Sequence, residues 1–245
     1  QWQYSNNGSS GWTNIGGATG TTYNPPGGLT ASRWYRRKAS SCNQIKYTSS
    51  VRVTVNPNLS SAGTLSPVST VCYGGNPSVI NVQSHPSGGD DNYTYQWQVS
   101  DNGNNGWVNI GGATGATYDP PGGATSSRYY RKRVQSCGQT KYTPSLWAKV
   151  FSNLNPGTIN GAQTICYGGN PSTLSNGSLP SGGNNDFSYQ WQYSNNGSNG
   201  WTNIGGAVSS TYDPPGGLTA DRWYRRRVQS CSQTKYTSKI KVTVR

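Results

Sequence analysis

The chain has no Met and no Glu, a single His and only two Phe among its 245 residues. All seven acidic residues are Asp, set against 20 Lys and Arg for a formal charge of +13. One His and no Glu leave little raw material for a general acid/base pair or an imidazole metal site. The composition therefore speaks against an enzyme, and no catalytic, cofactor or metal motif is present. No run of 18 apolar residues occurs, which excludes an apolar membrane-spanning helix. Aliphatic residues are also scarce. Leu, Ile, Val and Phe together make about 13% of the chain, which with this charge falls on the disordered side of the compositional line. Rings take their place: nine Trp and 17 Tyr can each bury on the order of 150–250 Å². With 33 Gly, 14 Pro and abundant Asn, Ser and Thr, the composition is one of turns and strands, and an all-β fold is expected.

The chain is a repeat. Trp2, Trp97 and Trp191 open the same string, Trp12, Trp107 and Trp201 follow, and Cys42, Cys137 and Cys231 close it, at offsets of 95 and then 94 residues. Residues 1–55 align with 190–244 without a gap and match at 41 of 55 positions. These offsets predict the C-terminal part of a truncated module over 1–55 and complete modules over 56–150 and 151–245. The module length is near the ~100 residues of an immunoglobulin-like sandwich. The chain is expected to be a piece of a longer array.

Cys72 and Cys137 lie 65 residues apart, as do Cys166 and Cys231. The equal spacing predicts one disulfide within each complete module, with the partner of Cys42 in missing upstream sequence. Disulfides in turn predict an oxidising, extracellular compartment.

Along the third copy, Tyr189, Trp191 and Tyr193 alternate with Gln190 and Gln192, the period of a half-buried strand that places Trp191 in the core. Asn196-Gly197 predicts a tight loop with positive φ. Strands follow through Trp201 to Ile204, up to Tyr212, over Arg222 to Ser230 and over Lys235 to Val244. Segments near 158–165 and 171–174 bring the total to about seven. The order ICYGGNPS, SGG, YQWQYSNNG, GWTNIGGA, TYDPPGG, RWYRRRVQSC, KYTSKIKVTV resembles the immunoglobulin-like repeats of very large surface adhesins of Bacteroidetes, notably the SprB-type gliding-motility adhesins. The resemblance implies type 9 secretion, a place at the outer cell surface and a tandem β architecture.

Three sets of polar and aromatic residues are candidate sites. The basic runs contain Arg36 and Arg37, Arg131 and Arg133, and Arg225 and Arg227, interleaved with rings. Such runs either bind an anionic ligand or lay guanidinium groups over neighbouring rings as a cation-π ladder. The charge is uneven, +6, +2 and +5 by copy, which argues against a continuous nucleic-acid stripe. Trp12, Trp107 and Trp201 have the opposite strand parity to Ile15, Ile110 and Ile204, so they either stack on a sugar or pack on a neighbouring loop or module. His85 reads as a loop residue, and Asp90, Asp91 and Asp186 as surface acids rather than a calcium cage. Two functions fit: a non-enzymatic stalk or filament segment of a secreted surface adhesin, or a carbohydrate-binding array. The expected partners are neighbouring modules of the same chain, other chains, and a polysaccharide or abiotic surface.

Overall fold

A computed structural model describes all 245 residues, and every regular element in it is a strand. In the third copy Arg222–Ser230 is the axis of the larger sheet. Ser188–Ser194 pairs antiparallel with it on one side, followed by Thr202–Asn203. Gln233–Tyr236 and Ile240–Val244 pair on the other side, and Gln163–Ile165 runs parallel to Ile240–Val244 at the edge. Thr158–Asn160 and Ser175–Ser178 form a second layer, extended by bridges from Leu174 to Tyr212 and from Asn155 to Ser181. Two layers of this order around one core are an immunoglobulin-like sandwich. The second copy repeats the plan, and residues 1–55 contribute a single five-stranded sheet. The protein is all-β, built of tandem immunoglobulin-like modules.

Alternation explains the layers. Along Arg222–Ser230 the inward set Tyr224, Arg226 and Val228 is fully buried while Arg225 and Arg227 face outward. Trp191 is fully buried among Ile159, Leu174, Leu218, Tyr224 and Val242. A ring column crosses the core, Trp191 to Tyr212 to Tyr224, with centroids 5.8 and 5.9 Å apart. Trp97, Tyr118 and Tyr130 repeat it at 5.5 and 5.6 Å. These tilted rings supply the apolar area that the few aliphatics cannot.

The strand expected over Lys235 to Val244 is broken at Thr237. There the Thr237 hydroxyl, instead of a main-chain carbonyl, accepts the Arg226 amide at 3.0 Å. The first strand is likewise split, at Gly161, whose φ of +119° carries it from one layer to the other.

The cysteines overturn the expected pairing. Cys72 is bonded to Cys231 of the following copy, 159 residues away, and Cys42, Cys137 and Cys166 are free and exposed. Strand polarity is the reason. The Tyr167 amide donates to the Arg245 carbonyl, so Cys166 sits beside the end of the last strand. Arg222 is in register with Val242, which puts the start of Arg222–Ser230 at that same pole. Cys231 follows the far end of this nine-residue strand. At about 3.3 Å per residue the two cysteines of one module are roughly 25–30 Å apart, whereas a disulfide needs Cα atoms within about 7 Å. The 65-residue spacing measures the repeat, not proximity.

Between copies the same polarity brings Cys72 and Cys231 together, with Cα atoms 5.4 Å apart. The connecting peptide is held from both sides. The Phe151 amide donates to Val71 O at 2.9 Å, and Ser152 O accepts from the Gly183 amide at 2.9 Å. Gln233 then clasps the joint: its Oε1 accepts from the Leu154 amide at 2.8 Å and its Nε2 donates to Tyr73 O at 3.5 Å.

Candidate functional site

The outer face of the larger sheet carries the candidate residues. Arg225 points away from the core, and its guanidinium carbon lies 4.3 Å from the Trp201 ring centroid and 4.2 Å from that of Tyr236. Register places Gln192 opposite Arg225, so Arg225 Nε donates to Gln192 Oε1 at 2.8 Å. Gln192 Nε2 in turn donates to Asn203 Oδ1 at 2.8 Å. The chain thus runs Trp201, Arg225, Tyr236, braced from beneath by two amides. Arg131 repeats it between Trp107 and Tyr142, at 4.2 Å from each, with Gln98 bonded at 2.8 Å. Arg36 does the same between Trp12 and Tyr47, at 4.1 and 4.0 Å, with Gln3 at 2.9 Å. Burial lowers the pKa of Arg131 and Arg225, consistent with guanidinium groups partly withdrawn from water. One face of each Trp is therefore occupied by a guanidinium, and a sugar would have to use the other, half-exposed side.

The remaining arginines separate by parity. Arg133 and Arg227 share the outer face, with Nε atoms buried and unbonded. Arg37 belongs to the opposite parity and donates to Thr21 O at 2.9 Å. Its counterparts, Lys132 and Arg226, are the residues that the basic run concealed, because both are buried inside the sandwich. Lys132 Nζ donates to Ala116 O at 3.0 Å and lies 4.7 Å from the Tyr95 ring. Arg226 donates to Asn176 Oδ1, to Ser210 O at 2.5 Å and to Pro156 O at 3.2 Å, and lies over Tyr189. No carboxylate accompanies either, so desolvation lowers both pKa values. Strict alternation with Tyr224 and Val228 was the signal for this inward position.

Beside the ladder, the Asn-Gly loops are built by side chains. Ser194 Oγ accepts from the amides of Asn196 and Gly197, and Asn196 Oδ1 from those of Ser198 and Asn199. Gly197 packs under Trp223 at φ +72°. His85 is an exposed loop residue. Asp90 accepts from the Ser136 hydroxyl at 2.5 Å, a bond that holds its carboxyl below the usual carboxylate range. Asp91 accepts from the Tyr93 hydroxyl at 3.3 Å. Asp186 donates its amide to Asn184 Oδ1.

A groove of about 340 Å³ opens in the second copy, between Ile110, Tyr118, Tyr130 and Val150. Ala124, Ala148 and Val99 line it where the third copy has Leu218, Val242 and Tyr193, so the groove is the space that those larger side chains fill. No helix long and apolar enough to cross a membrane is present.

Solved structures similar to the chain include the N-terminal four Ig domains of Dscam1 isoform 7.44, at 11% identity over 87% of this chain and 54% of that one, with a TM-score of 0.37. The corresponding domains of Dscam1 isoform 4.44 are 12% identical over the same shares, with a TM-score of 0.35. The chain thus spans about half the length of these structures. No curated protein matches its sequence. One family model matches three times in succession, over residues 1–57, 61–151 and 155–245, so the chain belongs to the family described as a domain of unknown function, DUF8696.

Proposed function

We propose that the chain is a non-enzymatic stalk segment of a large secreted surface adhesin, made of modules over 56–150 and 151–245 preceded by part of another over 1–55. The Cys72–Cys231 bond carries this reading. It is a second covalent connection beside the peptide at 151–154, and two attachments remove the hinge that a single linker leaves. The peptide itself contains no Gly/Ser tract and is hydrogen-bonded to both copies. A disulfide persists outside the reducing cytosol, which supports an extracellular location. The resemblance of the repeat string to gliding-motility adhesins supports a bacterial cell surface and a role in attachment. Small-angle scattering tests the reading: a stiff, extended particle is expected in oxidising buffer and a broader range of shapes after reduction. A compact globule in both would refute it.

Glycan binding is a second reading, favoured by the half-exposed faces of Trp12, Trp107 and Trp201, which recur in the same frame and would multiply weak sites. Glycan-array binding lost in the Trp107→Ala, Trp201→Ala double variant would support it.

A further inference from the structure

We infer that the Cys72–Cys231 bond is one instance of a general staple: the first cysteine of each module bonds to the second cysteine of the module that follows. The inference rests on the stalk reading and names the partner of the three free thiols as another module of the same repeat. Cys166 is then the open lower half of a staple, and Cys42 and Cys137 are open upper halves.

Four observations converge. Cys42, Cys137 and Cys231 occupy the same turn with φ of 46°, 48° and 48°, so the backbone presents all three cysteines alike. Gln139 accepts from the Leu59 amide at 2.8 Å just as Gln233 does from Leu154, so the upper face of the second copy is built for a joint. Its Nε2, which in Gln233 reaches Tyr73 O of the preceding copy, turns back in Gln139 to Asn58 Oδ1 at 2.6 Å. At the lower face the two copies differ by occupancy: Tyr73 is half-buried under the next module, whereas Tyr167, its equivalent, is 73% exposed. Cys72 and Cys166 differ in the same sense.

The chemistry is thiol–disulfide exchange with a small-molecule disulfide, for which oxidised glutathione serves as the oxidant. One cysteine thiolate attacks it and releases one glutathione thiolate. The second cysteine then loses its proton and attacks the mixed disulfide, forming the staple and releasing the other glutathione. Two protein thiols are oxidised and one glutathione disulfide is reduced to two thiols.

The test is a thiol count with non-reduced peptide mapping, on the chain and on the same chain extended by a second copy of residues 151–245, each oxidised with glutathione. The chain alone should keep three thiols, Cys42, Cys137 and Cys166. The extension adds two cysteines, yet the count should remain three, because Cys166 is consumed by the second cysteine of the added module. Cys166→Ser in the extended chain should raise the count to four by freeing that partner. Pairing within modules leaves one thiol, Cys42, in both chains and overturns the inference. So does Cys166 recovered free or capped by glutathione in the extended chain. Scattering on the same samples reports stiffness separately, so a flexible but stapled chain would refute the stalk reading alone.

Discussion

At the residue scale the most consequential groups are cations placed among rings. Each guanidinium–ring contact of the Arg225 kind contributes about 0.5–2 kcal/mol, and the Gln192 bond about 1 kcal/mol more. Arg225→Ala should therefore lower the stability of the third copy by roughly 2–3 kcal/mol in denaturant unfolding. Arg225→Lys should recover only part of this, because an ammonium keeps the charge but neither the planar stack nor the Nε donor. Lys132 gives a pH signature. Burial lowers its pKa from the ordinary 10.5, so between that lowered value and 10.5 the unfolded chain binds more protons than the folded one, and stability rises with pH. Tyr118 and Tyr130 shift upward from 10.0 by the same burial, stay protonated in the fold while the unfolded chain ionises, and make stability fall beyond about pH 10. Unfolding of the second copy should thus show a maximum on the alkaline side, and Lys132→Met should abolish the rise but not the fall. The third copy has Arg226 here, a guanidinium that is far more basic than an ammonium even though burial lowers its pKa, and it should lack the rise.

At the scale of elements, loops and packing layers are set by single small residues. A Cβ on Gly197 would lie 2.6 Å from Trp223 Cδ1 at a φ that L side chains avoid. Gly197→Ala should cost the third copy about 2 kcal/mol or more, read from its denaturation midpoint. The opposite change is expected where space is left over: Ala124→Leu should fill the groove of the second copy as Leu218 does in the third, raising stability by about 1 kcal/mol. The strands that carry the site were legible because they alternate in every copy: Ser188–Ser194 puts Trp191 inward, and Arg222–Ser230 puts Arg225 outward. The break at Thr237 was not legible, since a hydroxyl that replaces a ladder carbonyl leaves the alternating pattern intact. Arg226 was hidden for a different reason. A run of three arginines reads as one charged surface until the pleat divides it between faces. The disulfide required still more, namely the direction of each strand within the module, which spacing along the chain does not encode.

At the scale of the whole molecule, the joint between the copies decides the behaviour. Cys72→Ser and Cys231→Ser should leave far-UV circular dichroism unchanged, because neither cysteine lies in the cores, yet raise proteolytic cutting at 151–154. Unchanged cutting would mean that the hydrogen bonds of Phe151, Ser152 and Gln233 hold the joint alone. The bridge also alters what happens when residues 56–245 are pulled from their two ends. Tension entering at residue 56 reaches Cys72, crosses the sulfur atoms to Cys231 and leaves along the last strand. The 159-residue separation between them is bypassed, so even complete mechanical unfolding withholds roughly 540 Å of contour at about 3.4 Å per residue. An oxidised tether of this kind lengthens only by its short unbridged ends, and a reductant would lengthen it severalfold without cutting a single peptide bond.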